Sequence, residues 1–185
     1  MIKIYKTFFN NEVKLIKLKK FTDKRGHFIE NFNIRDLKNL GISSKFVQDN
    51  ESLSVNKGTI RGLHFQTKPL QQAKLISVKK GSICDVFVDI NKTSKTFGMY
   101  KKIILRSTDN FLLYIPYNFA HGFCTLENNT IVSYKISNYY SPNHERTLDY
   151  NDNHLKINWP RFKNTKYISN KDLNGIKFLE LKDFL

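Results

Sequence analysis

The sequence predicts an all-β fold built from short strands. Runs of apolar and β-branched residues alternate with turn residues such as Gly, Asn and Ser through the middle of the chain. Only one short stretch has a clear helical pattern. Hydrophobic residues make up 40% of the chain, with 15 Phe and 9 Tyr, which is too rich a composition for a disordered chain. We therefore expect strands packed around a good core.

Turn and cap residues set the limits of the predicted elements. The predicted strands are Lys74 to Val78, Ile83 to Ile90, Tyr100 to Leu105, Phe111 to Ile115 and Ile131 to Ile136. A short helix is predicted over Ile34 to Leu40, because Asn33 can cap its start and Gly41 readily adopts the left-handed conformation that ends a helix. The last stretch, Phe162 to Leu185, is expected to pack over the strands as short helices or loops.

Length and hydropathy predict a single domain over residues 1–185. The chain shows no repeat, linker or low-complexity segment. No apolar run approaches the roughly 20 residues that cross a bilayer, so we expect no membrane association. The start, Met1 to Lys6, lacks the apolar stretch and cleavage site of a signal peptide, and a cytoplasmic location is expected.

The formal net charge of +15 raises the alternative of a nucleic-acid binder. The lysines are spread along the chain, and in the densest group, Lys14 to Lys20, they alternate with or abut apolar residues. That pattern is typical of half-exposed strands, whereas a nucleic-acid binder needs its basic residues on one face with exposed aromatic rings. We expect no nucleic-acid partner. A positive field would instead attract an acidic small substrate such as a nucleotide diphosphate.

Alternation along the strands assigns side chains to faces. In Ile83 to Ile90, one face carries Cys84 and alternate apolar residues, and we expect it to be core. The other face mixes Asp85 and Asp89 with Phe87, as a ligand cavity would. His64 and Tyr134 also fall on partly apolar faces, where a buried imidazole or phenol needs a partner. For either residue alone, an ordinary backbone partner is the simpler interpretation.

Three stretches carry side chains suited to one kind of chemistry. Arg61 to Gln66, Pro116 to Phe123 and Tyr134 to Tyr140 supply two histidines, a cation and a phenol, each in or beside a predicted strand. Such a set can remove a proton from a carbon beside a ketone, hold the enolate and return a proton from the other side.

A longer series of motifs carries a resemblance to a known family. In order, they are Asp23 to Glu30, Val47 to Asn50, Arg61 to Gln66, Gln72 to Leu75, Asp85 to Asp89, Ser94 to Gly98, Ile115 to Phe123, Tyr134-Lys135, Tyr139 to Pro142, Asn151-Asp152 and Trp159-Pro160. From about Asp23 to Asp172 the chain resembles the dTDP-4-dehydrorhamnose 3,5-epimerase family of cupins. The resemblance implies a jelly-roll β-sandwich, a homodimer, and inversion of C3, C5 or both in a nucleotide-linked 4-keto hexose.

The resemblance also implies catalytic roles. His64 would be the base, oriented by Asp172, and Tyr134 would deliver a proton to the opposite face of the sugar. Lys74 would place its charge near the C4 oxygen, where the enolate forms. We expect no redox cofactor. Many cupins bind a metal through a His-x-His pair, but the residue two after His64 is Gln66, a poor replacement for imidazole, so a metal-free site is expected.

Some of the matching residues are expected to hold the phosphates and the base of the nucleotide. Arg25 and Arg61 are natural phosphate partners, because a guanidinium offers two parallel hydrogen bonds. Glu30 could read the base or sugar hydroxyls, and Phe28 could stack on the base. In the family the segment that matches Arg25 to Glu30 comes from the partner chain. An ordinary surface ion pair is the alternative interpretation of Arg25 and Glu30.

The resemblance implies further substrate contacts from other matching residues. Gln48 and Asn50 could also read the base and sugar hydroxyls, and Tyr140 is a second candidate for stacking. His121 and Asp85 are expected to form a second histidine–carboxylate couple that lines the cavity.

The sequence leaves the substrate open. Relatives of this scaffold act on other nucleotide sugars, including GDP-linked 4-keto heptoses, and some invert C3 alone. Tyr150 replaces a Trp common in the family before Asn151-Asp152, and such departures concern substrate identity more than reaction type. A non-catalytic sugar-binding cupin is a further alternative, but it would be expected to have lost His64 or Tyr134.

Overall fold

The computed structural model describes residues 2–160, 162 and 167–184, and its main feature is a pair of antiparallel sheets. The six-stranded sheet contains β1 (Lys3–Phe8), β2 (Val13–Lys17), β5 (Gln48–Ser54), β7 (Lys74–Lys80), β10 (Phe111–Ile115) and β12 (Thr130–Ile136), in the order β1-β2-β10-β7-β12-β5. The five-stranded sheet contains β6 (Ile60–Gln66), β8 (Ser82–Asp89), β9 (Tyr100–Arg106), β11 (Phe119–Thr125) and β13 (Glu145–Thr147), in the order β13-β6-β11-β8-β9.

The remaining elements are small. They are the hairpin of β3 (Lys20–Asp23) and β4 (Gly26–Ile29), the helices α1 (Ile34–Asn39) and α2 (Asn170–Leu173), and 3-10 turns at Ser107–Asp109 and Phe178–Phe184. Within the described residues, no helix is long and apolar enough to cross a membrane. The predicted all-β class, with a few short helices, is confirmed.

The five predicted strands are all present, with ends within two residues of the prediction. The predicted helix is also present and ends one residue earlier, at Asn39. The Asn33 side chain accepts hydrogen bonds from the Arg35 and Asp36 amides, and Gly41 has φ +73°, so both predicted helix limits are explained by the expected residues.

The core between the sheets fills only one half of the sandwich. Fully buried side chains such as Leu113 from β10 and Phe87 from β8 meet there. Phe8, the last residue of β1, packs its ring against Phe87 with centroids 5.5 Å apart, and Phe9, in the turn that follows, packs against Phe119 with centroids 5.1 Å apart. This packing leaves the other half, between β12–β5 and β6–β13, open for a cavity.

Both faces of β8 are covered. Cys84 and alternate residues pack against Leu148, Leu155 and Phe178 of the C-terminal stretch, so this face is core as predicted. The prediction that the opposite face lines a ligand cavity is wrong for Phe87, which lies in the inter-sheet core. It is also wrong for Asp89, whose carboxylate accepts hydrogen bonds from the Asn91 amide and the Thr96 hydroxyl and so stabilises the next turn. β8 lies between β11 and the edge strand β9, its inward face meets the inter-sheet core, and Asp89 is its last residue.

The described parts of the C-terminal stretch pack over the five-stranded sheet as short helical turns and loops, as expected. Residues 161, 163–166 and 185 of that prediction lie outside the described residues. The outer face of the six-stranded sheet is covered by α1 and the following loop, with Leu37 and Ile42 buried against Leu75 and Leu112. Each sheet is therefore supported from outside, and the cavity walls are rigid strands.

Candidate active site

A cavity of about 650 Å³ lies between the two sheets. The predicted residues that line it are His64, Lys74, Tyr134, Asp172, Gln48, Asn50, Arg61, His121 and Tyr140. In the strand register Asn50 is opposite Tyr134, and Ile136 lies between Gln48 and Lys74. Because alternate residues share a face, these side chains point into the sandwich together.

His64 in β6 is paired with a carboxylate from α2. Its Nε2 atom lies 2.6 Å from Oδ1 of Asp172, and the His64 side chain is 29% exposed while Asp172 is 4% exposed. Burial opposes ionisation of Asp172, but hydrogen bonds from His64, Ser169 and the Gly62 amide, with the charge of His64, lower the pKa of Asp172 below its usual range. Nδ1 of His64 is left to accept a proton.

Two glycines allow β6 and β11 to approach closely beneath the histidines. A Cβ atom on Gly62 would lie 2.6 Å from both the Gly122 Cα and the His121 carbonyl oxygen, and Gly62 has φ +115°. A Cβ on Gly122 would lie 2.7 Å from the Arg61 carbonyl oxygen. The register shifts at this point, and His121 is opposite His64. Only glycine fits both positions, so the close contact that sets the two histidines side by side is built into the sequence.

Lys74 is a buried cation at the start of β7. It is 6% exposed, and its Nζ atom donates to the His64 carbonyl oxygen at 3.4 Å. Burial lowers the pKa of Lys74 to about 8, although the charge of Glu145 opposes this effect. A desolvated ammonium group is strongly attracted to any negative charge that forms beside it.

Tyr134 comes from β12, in the sheet opposite His64. Burial raises the pKa of its phenol, while the positive charge of Arg61 lowers it and the charge of Glu145 raises it further, with a net increase. The phenol is therefore protonated at neutral pH and can act as a proton donor.

His121 forms the predicted second couple, with Asp85. Its Nε2 atom lies 2.8 Å from Oδ2 of Asp85, and the two side chains are 10% and 0% exposed. Burial raises the pKa of Asp85, and the charge and hydrogen bond of His121 only partly oppose it. His121 lines the cavity, whereas Asp85 lies behind it and supports it.

The rim of the cavity is a hydrogen-bonded network. The Gln48 side chain donates to Asn50 Oδ1 at 2.8 Å and accepts from the Tyr140 amide at 3.1 Å. The Tyr140 hydroxyl donates to Glu145 Oε2 at 2.8 Å, and Lys171 Nζ donates to Glu145 Oε1 at 2.7 Å. The network joins β5 to α2, next to Asp172.

Sequence reasoning missed Glu145 and Lys171, which line the cavity. Glu145 reaches it because β13 pairs with β6, which sets Glu145 opposite Gln66, and no local pattern encodes that pairing. Lys171 had a signal, since it directly precedes Asp172. Burial opposes ionisation of Glu145, but Lys171, Tyr140 and the charge of His64 together lower the pKa of Glu145.

The β3–β4 hairpin does not reach this cavity within one chain. Arg25, Phe28 and Glu30 are all exposed, with Phe28 66% exposed. Arg25 donates to the Asp23 carboxylate at 2.7 Å, so the alternative of a surface ion pair describes its state in the single chain. The structure therefore separates these three predicted residues from His64.

The two sheets contribute different reactive groups to the site. The His64 imidazole, supported by the Asp172 carboxylate, lies on one wall, and the protonated Tyr134 phenol comes from the other. The buried ammonium of Lys74 lines the same cavity. Within the described part of the chain, no three His, Cys, Asp or Glu side chains are grouped to hold a metal ion. Fold and site define a class: a jelly-roll protein equipped for acid–base chemistry on a carbon beside a ketone.

Comparisons with known proteins identify the family within this class. The family model described as dTDP-4-dehydrorhamnose 3,5-epimerase matches residues 10–180. A protein of that description from Sinorhizobium fredii is 42% identical over 170 residues, which is 92% of this chain and 87% of the relative. The chain belongs to the dTDP-4-dehydrorhamnose 3,5-epimerase family, and the predicted class, a nucleotide-sugar epimerase of cupin fold, is confirmed.

Solved structures agree with this assignment. The dTDP-4-dehydrorhamnose 3,5-epimerase from Bacillus anthracis, with TDP and PPi bound, has a TM-score of 0.91 and 44% identity over 96% of this chain and 99% of its own. The dTDP-6-deoxy-D-glucose-3,5-epimerase from Legionella pneumophila, in complex with dTDP-4-keto-L-rhamnose, has a TM-score of 0.94 and 37% identity over 100% of this chain and 97% of its own.

Proposed function

We propose that this protein inverts C3 and C5 of a dTDP-linked 4-keto-6-deoxyhexose through an enolate. The observation that carries the proposal is that His64 and Tyr134 come from opposite sheets into one cavity that also contains Lys74. The Legionella relative, bound to dTDP-4-keto-L-rhamnose, supports the substrate class. Location in the cytoplasm and a single domain over residues 1–185 stay predictions.

The first step is proton abstraction by His64. Nδ1 takes the proton from a carbon beside the C4 ketone, the C–H electron pair forms the enolate, and the negative charge develops on the C4 oxygen. Asp172, held ionised by its hydrogen bonds, stabilises the imidazolium that results. The Lys74 ammonium stabilises the enolate oxygen.

The second step is proton delivery by Tyr134. Its O–H bond breaks, a C–H bond forms on the face opposite His64, and the electron pair stays on the phenolate oxygen. The carbon is thereby inverted. C3 and C5 both flank C4, so one base and one acid can serve both centres if the sugar turns within the cavity.

The remaining cavity residues are proposed to hold the substrate. Arg61 offers its guanidinium to a phosphate. Gln48 and Asn50 present amide groups to the base and sugar hydroxyls, and the half-exposed ring of Tyr140 is available for stacking. His121, held by Asp85, donates or accepts a hydrogen bond at the cavity wall.

The β3–β4 hairpin is proposed to complete the cavity of a partner chain in a homodimer. The hairpin pairs with no further strand among the described residues, and it exposes Phe21 and Phe28 beside Arg25. Exposed aromatic rings next to a cation suit a nucleotide better than water. Arg25, Phe28 and Glu30 would then contact substrate across the dimer interface.

Mixing two inactive variants tests this arrangement. Arg25→Ala and His64→Ala chains each lack a part of the site, but a mixed dimer would contain one intact site if the hairpin serves the partner. Unfolding and refolding the two chains together should then restore about a quarter of wild-type activity, as expected for random pairing of a two-fold dimer. No recovery, or a monomer by light scattering, would exclude the shared site.

Solvent deuterium incorporation tests the reaction. Wild-type protein in D₂O should label C3 and C5 of the dTDP-linked 4-keto-6-deoxyhexose, and His64→Ala should abolish the label. Label at C3 alone would identify a 3-epimerase. Label only in another nucleotide sugar, such as a GDP-linked 4-keto heptose, would reassign the substrate, and no label in any of them would contradict the catalytic roles given above.

A further inference from the structure

The Arg61 guanidinium is fixed by two contacts on the opposite sheet. Its Nε donates to the Ser54 hydroxyl at 3.0 Å, and one terminal nitrogen donates to the Leu53 carbonyl oxygen, also at 3.0 Å. The Arg61 backbone belongs to β6, whereas Ser54 and Leu53 belong to β5 in the other sheet. The Arg61 side chain therefore crosses from one sheet to the other. The charge is therefore held at one place in the cavity wall.

This fixing does not depend on a bound phosphate. A long cationic side chain loses rotamer entropy when it is held in place, and here the two acceptors on β5 compensate for that loss. Here Ser54 is only 3% exposed, so a buried hydroxyl serves as acceptor before any ligand arrives. Loss of one partner from a buried hydrogen bond leaves the other unsatisfied. The arrangement suits a charge whose position matters during the reaction.

The reacting group that shares this wall is the Tyr134 phenol. Arg61 and Tyr134 line the same cavity, from β6 and β12. Ser52 lies opposite Val132, and Asn50 lies opposite Tyr134, so β5 runs alongside the strand that carries the phenol. Burial makes ionisation of Tyr134 unfavourable, and the charge of Arg61 opposes that effect by lowering the pKa of the phenol.

We propose that Ser54 is a positioning residue: together with the Leu53 carbonyl it holds the Arg61 guanidinium where that charge stabilises the Tyr134 phenolate. The phenolate forms when Tyr134 gives its proton to the enolate carbon, and it regains a proton from water before the next turnover. Arg61 thus lowers the barrier to proton delivery as well as binding substrate. The inference rests on the proposed role of Tyr134 as the acid.

The enolate can be reprotonated either by Tyr134 or by His64, and the ratio between these two outcomes measures the role proposed for Ser54. When Tyr134 delivers slowly, the enolate is more often reprotonated by His64, on the face from which the proton left. In D₂O, exchange of the His64 proton with solvent turns that return into deuterium in recovered substrate of unchanged configuration. The ratio of labelled substrate to inverted product therefore rises when the acid is impaired, and it does not depend on substrate affinity.

The chain offers a matched control two residues away. Ser52 lies on the same strand and lines the same cavity, and its hydroxyl has no hydrogen-bond partner in the described residues. Ser54→Ala and Ser52→Ala each remove one hydroxyl from β5, but only the first releases Arg61. Ser54→Thr keeps the acceptor oxygen, and thermal unfolding of each variant separates loss of fold from loss of positioning.

The ratio should rise about five-fold in Ser54→Ala, as expected for one lost hydrogen bond to the group that stabilises the phenolate. It should rise further in Arg61→Met, and remain at the wild-type value in Ser52→Ala and Ser54→Thr. A Ser54→Ala protein that raises only KM, with the ratio unchanged, would overturn the proposal and leave Arg61 as a binding residue. An equal rise in Ser52→Ala would also overturn it.

The Tyr134→Phe variant tests the proposed role of Tyr134 as the acid separately from the proposed role of Ser54, because it alters neither Ser54 nor Arg61. A large rise in its ratio supports Tyr134 as the acid, and the Ser54 result then stands or falls separately. An unchanged ratio in Tyr134→Phe would reject Tyr134 as the acid, and with it any role for Ser54 in proton delivery.

Discussion

Two histidine–aspartate couples lie at the same cavity, and their surroundings shift the pKa values of the two carboxylates in opposite directions. His64 and Asp172 are 2.6 Å apart, and His121 and Asp85 are 2.8 Å apart, in both cases through Nε2. The pKa of Asp172 is lowered, because hydrogen bonds from His64, Ser169 and the Gly62 amide outweigh burial. The pKa of Asp85 is raised, because burial outweighs His121, and Oδ1 of Asp85 has no partner in the described residues.

This difference separates two roles for the same pair of side chains. A base that captures a proton needs an ionised carboxylate behind it, and Asp172 provides one. Burial raises the pKa of Asp85, so Asp85 is a weaker support for an imidazolium than Asp172, and we assign His121 to binding and orienting the substrate. We therefore expect identical residue types at nearly identical distances to have different functions, because the number of donors around each carboxylate differs.

The largest expected effect comes from removing each histidine. His64→Ala should lower kcat by about a thousand-fold or more, the upper part of the range for a general base, and abolish deuterium exchange. His121→Ala should raise KM and leave exchange detectable. The comparison fails if His121→Ala abolishes exchange while His64→Ala retains it, as measured by mass spectrometry of recovered substrate.

The carboxylates give the next largest difference. Asp172→Asn removes the charge that supports the imidazolium and favours the wrong tautomer of His64, so kcat should fall by about a hundred-fold or more. Asp85→Asn keeps an acceptor oxygen for His121, and kcat should change by about five-fold at most. Thermal unfolding of both variants provides the control, and equal losses of kcat would remove the distinction between the couples.

Burial lowers the pKa of the cation Lys74, whereas it raises the pKa of Asp85. The pKa of Lys74 is lowered from 10.5 to about 8, so kcat/KM should fall as pH rises through 8. Between pH 8 and 10.5 the unfolded chain binds more protons at this site than the folded chain, so the contribution of Lys74 to the free energy of unfolding rises with pH. The Lys74 contribution to stability should therefore rise over the pH range in which kcat/KM falls, so titration of Lys74 would lower activity without destabilising the fold.

The matched control for this prediction is Lys74→Met, compared by urea unfolding at pH 8 and 9.5. The stability of the wild type relative to the variant should increase between these values. A constant difference, with kcat/KM unchanged to pH 9.5, would mean that Lys74 titrates at its ordinary pKa and is not desolvated.

The sequence was sufficient for groups whose positions depend on strand alternation. Tyr134, Asn50 and Lys74 reach one cavity because residues of one parity share a face. Alternation placed Tyr134, whereas Asn50, Lys74 and Asp172 were found through the motif resemblance. Alternation could not show that β8 is covered on both faces, which is why Phe87 was misassigned. Which neighbours a strand receives is a property of sheet order, and that order depends on pairings distant in sequence.

The absence of Glu145 from the predicted site has the same physical origin. Glu145 enters the site because β13 pairs with β6, and β13, with three residues, is too short to leave a periodic signal. Arg25 and Phe28, which the resemblance assigns to the site of a partner chain, lie on a hairpin away from the cavity of their own chain. Local pattern predicts which face a side chain occupies, and it is silent on which element or chain is opposite.

The smallest expected effect concerns Glu145, whose carboxylate joins the Tyr140 hydroxyl at the cavity rim to Lys171, the residue before Asp172. The negative charge of Glu145 raises the pKa of Lys74, against the effect of burial. Glu145→Gln should therefore move the alkaline fall of kcat/KM to lower pH, while kcat at pH 6.5 changes by no more than about five-fold, as for one partly exposed ion pair.

The matched control is Glu51→Gln. It makes the same charge change on an exposed residue of β5 that does not line the cavity, and it should leave the pH profile of kcat/KM unchanged. If both variants shift the profile equally, the effect reflects net charge alone. If only Glu145→Gln does so, the rim carboxylate helps to keep Lys74 charged, and the site near His64 depends on a residue that neither histidine–aspartate couple contains.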